Sequence, residues 1–188
     1  MIQDLDETVK ALLVQKVPID TASTDIQFER PTTEWENQLS KPTVSCFLYD
    51  IRENLILRDN ERYITRNGAT GSITPDPVRM DLTYLITVWS KDVADEHRIL
   101  GDIMRVLVSY PTIPREVLQG SMVNQSKPLR TWVALPEDTP NTWDFWGANE
   151  WRLKAGVNYR VTVAVEPVPV EVNLVTEKII QLEHLQSS

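Results

Sequence analysis

Residues 80–107 constrain the fold more than any other stretch. Met80, Leu82, Tyr84, Ile86 and Val88 alternate along one face of an extended segment, while Leu85 and Trp89 load the other. A strand with large apolar side chains on both faces belongs in the middle of a sheet, covered on each side. Ser90-Lys91-Asp92 ends it. Beyond it, Ile99, Leu100, Ile103, Met104 and Leu107 recur with helical period, Asp92 stands where an N-cap is needed, and Pro111 and Pro114 forbid continuation. The sequence here predicts a central strand, a short turn and a helix.

Other elements follow from the same reasoning. Leu5, Val9, Leu12 and Leu13 keep the 3.6-residue period behind Asp4, Asp6 and Glu7, with Pro18 beyond, which predicts a first amphipathic helix. Residues 21–41 are polar and broken by Pro31; Ile26 marks a short strand and Trp35 a single helical turn. β-branched and aromatic residues over 44–51 predict a buried strand, and Leu55, Leu57 and Tyr63 a second one after a bend. Two of six glycines fall in 67–72, with Pro75 and Pro77 close behind, so this stretch is expected to be a loop with a mobile tip. Residues 129–135 can form a strand, and Tyr159, Val161, Val163 and Val165 predict a firm one. In the tail, Val168, Val170, Val172 and Leu174 alternate with Glu171 and Asn173, and Pro167 and Pro169 assign this strand to a sheet edge. Such an edge can pair with a partner, which makes Val170, Val172 and Leu174 candidate interface residues.

The whole chain, 188 residues long, is expected to form a single domain over 1–188, with 168–188 as edge strand and tail. Its 19 basic and 27 acidic residues give a net charge of -8, the bases are scattered, and nothing could track a phosphate backbone, which argues against nucleic acid. The acidic start lacks the pattern of a secretory signal, and no apolar run is long enough to span a bilayer, so synthesis in the cytoplasm and no membrane insertion are expected. The lone Cys46 sits in an apolar run and reads as a buried, inert thiol.

Chemistry is sparse. Asp92, Asp95, Glu96 and His97 could offer ligands to a metal, but their spacing fits no known motif, and carboxylates in a first helical turn offset the dipole. No nucleophile motif appears, and the glycines of 67–72 lack both a lysine and a following helix. No catalysis and no cofactor are expected. The strongest anomaly is aromatic: Trp132, Trp143, Phe145, Trp146 and Trp151 fall within a short stretch of a chain only 7% aromatic. Core packing, a partner anchor and a sugar-stacking platform all fit it; Trp143, Phe145 and Trp146 are the interface candidates.

Three ordered blocks carry a family likeness. Phe47-Leu48-Tyr49-Asp50-Ile51-Arg52-Glu53-Asn54-Leu55-Ile56-Leu57-Arg58 resembles the strand and bend of the tube terminator or cap family of contractile injection systems, of the Photorhabdus virulence cassette and antifeeding prophage kind. Residues 80–89 with Glu96-His97-Arg98-Ile99-Leu100-Gly101 resemble that family's central strand and helix, and Asn158-Tyr159-Arg160-Val161-Thr162-Val163 its late strand. The likeness departs over 143–156 and does not extend past Pro167. It implies an α+β fold like that of phage tail terminators: a central mixed, largely antiparallel sheet packed by two main helices. It also implies a structural role without enzymatic activity, as a homo-hexamer bound to the inner tube protein and the sheath protein. Another neck connector of the same machine, or a small ligand-binding domain, are the alternatives.

Overall fold

The computed structural model describes residues 1–59, 61–67, 70–136 and 154–173. In chain order these form α1 (Ile2–Lys16), β1 (Asp25–Gln27), α2 (Thr33–Asn37), β2 (Thr43–Glu53), β3 (Arg62–Asn67), β4 (Thr70–Pro75), β5 (Val78–Trp89), α3 (Val93–Ser109), β6 (Arg130–Val133), β7 (Gly156–Val165) and β8 (Val170–Asn173). The five-stranded sheet has the order β1-β2-β5-β7-β6; β1 runs parallel to β2 and every other pair is antiparallel. This is the α+β architecture with a mixed, largely antiparallel sheet and two long helices, and β5 lies at its centre.

Register explains the core. Val44 faces Val88, Cys46 faces Ile86, Ile86 faces Val157, Tyr84 faces Tyr159 and Leu82 faces Val161, so one face of the sheet is a continuous apolar layer. On it sit Leu5, Val9, Leu12 and Leu13 of α1 and Ile99, Leu100, Ile103 and Leu107 of α3, all buried. Each such side chain removed from water contributes about 2 kcal/mol, so this layer dominates the stability. The opposite face is mixed: Ser45, Thr83, Thr87, Asp81 and Thr162 are buried there, beside Phe47, Leu85 and the buried Trp89. A bulge at Tyr49 shifts the β2–β5 register, and the Tyr49 hydroxyl donates to Asn158 Oδ1 at 3.2 Å.

Helix α1 is locked to the segment after α3. Asp4 Oδ2 accepts from the Ser121 amide and hydroxyl, and the Gln119 amide donates to Thr8 Oγ1 at 2.9 Å. Gly120 between them has φ +51, and a side chain there would collide with Asp4; glycine meets both demands.

The structure corrects the expectation for 67–72. Thr70–Pro75 is a strand, paired antiparallel with Arg62–Asn67 so that Ile64 faces Ile73, and β8 joins its other side, Val170 facing Ile73 and Val172 facing Gly71. The result is a second sheet, β3-β4-β8, with β8 at one edge. The dipeptide Asn67-Gly68 is a strong hairpin signal, but the glycine count outweighed it; the tip expected to be mobile, Gly68 and Ala69, lies outside the described residues. Leu55–Leu57 is likewise a 3-10 turn instead of strand, because the Asn54 side chain accepts from the Leu57 amide and closes it.

Candidate assembly surfaces

At the C-terminal end of β5 the acid and histidine cluster is used structurally. Asp92 caps α3 by accepting from the Ala94 amide at 3.0 Å, and Glu96 reaches back to accept from the Ser90 amide, two residues before the cap, at 2.9 Å. Glu96 also pairs with Lys154, whose ammonium lies 4.8 Å from the Trp89 ring centroid and donates to the Val88 carbonyl. Trp89 meets Trp35 edge to face at 5.4 Å, and Trp35 Nε1 donates to Gln27 Oε1 at 2.6 Å. Asp95 pairs with Arg98, and His97 is exposed. Among the described residues no three His, Cys, Asp or Glu side chains are grouped to hold a metal. The adjoining cleft, about 580 Å³, carries Lys41 and Lys154, which are paired to Asp25 and Glu96. Cys46 is fully buried, and desolvation pushes its thiol far up, so it is a packing residue.

At the opposite end of β5 lies a polar hub. Asp81 accepts from Thr162 Oγ1 at 2.5 Å and Asn54 Nδ2 at 3.0 Å, and pairs with Arg160 at 3.4 Å; the Arg160 guanidinium lies 5.5 Å over Trp132. The Asn54 amide donates to the Arg79 carbonyl at 2.8 Å. One asparagine thus fixes the Leu55–Leu57 turn to the central strand. On this rigid support Ile56 is 94% exposed and Leu55 68%.

The small sheet carries the third surface. Ile64, Ile73, Val170 and Val172 share one face, none belongs to the core, and Ile64 and Val170 are more than half exposed. A groove of about 490 Å³ runs beside Val170 and Val172, bounded by Arg62, Asp76 and Pro77. The structure brings these two valines together with Ile73; Leu174, Trp143, Phe145 and Trp146 lie outside the described residues. Sequence reading missed Ile64 and Ile73, whose alternation with Tyr63, Thr65, Ser72 and Thr74 was there to be found, and Ile56, which no periodicity could distinguish from a strand residue.

The mixed sheet packed by two long helices defines an α+β scaffold, and solved structures show it to share the fold of tube terminators. The chain superposes on the sheath/tube terminator of the extracellular contractile injection system PVC in its extended state, with a TM-score of 0.69 and 25% identity, covering 99% of this chain and 65% of that one. The tube-terminating cap of the anti-feeding prophage shares the fold, with a TM-score of 0.64 and 22% identity over 97% of this chain and 61% of that one. The chain thus spans less than two thirds of either structure. No curated protein sequence is significantly similar to it. The family model of the Pvc16 N-terminal domain matches residues 4–175, and the chain belongs to that family.

Proposed function

We propose that this chain is a structural cap of a contractile injection system, forming a hexameric ring that terminates the inner tube and anchors the top sheath layer. The observation that carries this reading is the superposition over 99% of the chain on a sheath/tube terminator at 25% identity. The chemistry agrees: the titratable groups of the described residues that approach one another serve as caps, ion pairs and buried packing groups, the pattern of a subunit that acts by shape and not by catalysis. Residues 1–188 act as one domain, and the tail over 168–188 together with Trp143, Phe145 and Trp146 supplies contacts to tube, sheath or neighbouring copies. No helix among the described residues is long and apolar enough to cross a membrane; the cap is made in the cytoplasm and leaves it only as part of a particle. Electron microscopy of particles is the test. A hexameric ring of this chain is expected at the end opposite the baseplate, and its deletion should give tubes of unregulated length. Finding the chain within the baseplate would overturn the reading.

A further inference from the structure

The outer face of α3 holds an oddity that the fold itself does not use. Val93, His97, Gly101, Met104 and Val108 lie within one narrow stripe of the helix, at spacings of three and four residues. All five are exposed, Val93 by 61% and Val108 by 66%. Gly101 is at the midpoint of this 17-residue helix, and a side chain there would touch nothing within 4 Å. Glycine weakens a helix interior, and nothing in this chain requires one here. The helix surface is therefore notched at its centre, between His97 on one side and Met104 on the other, with Val93 and Val108 beyond them. The charges beside the stripe are already neutralised in pairs, Asp95 with Arg98 at 3.2 Å and Asp102 with Arg105 at 2.9 Å.

The same chain carries a matching projection. Ile56 stands 94% exposed on the turn that Asn54 holds to β5, an apolar knob with little freedom to retract. Arg58 beside it is paired with Glu53. Copies that each carry a net charge of -8 repel one another, so they can approach closely only along a seam that is locally uncharged. The knob and the stripe are two such places, on different elements. A contact between different surfaces of identical subunits is heterologous and propagates head to tail until it closes a ring.

We propose that Ile56 of one copy seats in the Gly101 notch of the next, between His97 and Met104, as the anchor of the seam between neighbouring copies. This rests on the ring reading above and assigns its subunit contact.

Disulfide trapping on the full chain tests it, with the inner tube protein of the same system present and sedimentation reporting tube binding. Oxidised Ile56→Cys/Met104→Cys should give a ladder of covalent multimers, and either single variant only monomer; Cys46 is buried and gives no background. Gly101→Leu added to the double variant should abolish the ladder while melting no lower than the parent. Dimers from a single-cysteine variant would overturn the seam in favour of a twofold contact. A double variant that sediments with tubes but gives no ladder would overturn the seam and leave the cap reading standing. Failure both to sediment and to form a ladder would overturn both.

Discussion

Asp81 joins three parts of the molecule that are distant in sequence, and its loss is expected to be felt in all of them. Its carboxylate takes bonds from Thr162 and Asn54 and faces Arg160, in a position only 7% exposed. Asp81→Ala removes the buried acceptor of Thr162 and Asn54 and an ion-pair partner of the partly buried Arg160, and urea unfolding should register a loss of about 3 kcal/mol. Asp6 makes the opposite case. Burial raises its carboxyl above the usual range, Glu7 adds to this, and the hydrogen bond from Tyr84 at 2.7 Å works against it. A carboxyl raised in the folded state contributes stability below its unfolded value, and that contribution is lost as pH climbs through the folded value. Asp6→Asn keeps an acceptor for Tyr84 and removes the desolvated charge. Calorimetry across a pH series should therefore show the variant gaining on the wild type from acid toward neutral pH.

Helix α3 and strand β8 carry the predictions that belong to whole elements. Because a methyl at position 101 meets open space, Gly101→Ala should stabilise the isolated chain by up to about 1 kcal/mol, measured by thermal melting. Strand β8 adds four residue pairs to β4 and no side chain to the core. Ending the chain after Pro167 should leave the five-stranded sheet folded, as judged by circular dichroism. Particles made with the truncated chain should lose regulated tube length or shed sheath at the capped end; normal particles would mean the tail serves nothing beyond its own sheet. Legibility in the sequence followed burial. β5 and α3 were readable because each buries a full face, which forces Leu82, Tyr84 and Ile86, or Ile99, Ile103 and Leu107, onto a strict period. The β3–β4 hairpin was read only in part: Tyr63 fell in the expected second strand, but Asn67-Gly68 and the alternation of Ile64 and Ile73 were outweighed by the nearby glycines and prolines, because Tyr63 and Ile64 on its two faces are exposed alike and burial imposes no stricter pattern. Of the candidate site, Val170 and Val172 were legible through their alternation, whereas Gly101 and Ile56 owe their interest to the absence of neighbours, which composition does not encode.

At the scale of the whole molecule, net charge would govern how copies meet in the proposed ring. With -8 on each chain, association of free copies should strengthen as salt screens their repulsion, since the Debye length falls from about 10 Å at 0.1 M to about 3 Å at 1 M; sedimentation velocity across a salt series checks it, and weakening with salt would mean that ion pairs, not apolar seams, hold the copies. The way the two sheets are joined sets the remaining property. β5 receives the chain from β4 through Asp76 and Pro77, β7 passes it to β8 through residues 166–169, and Val78 lies beside Val165, so both strands leave the large sheet at the same end. Tension applied to the small sheet therefore pulls β5 and β7 lengthwise. The ladder between β5 and β2 is then strained in shear, where many hydrogen bonds must give way together, and not peeled open one at a time. Each bond is worth only about 1 kcal/mol, yet loaded in parallel they make the joint mechanically stiff.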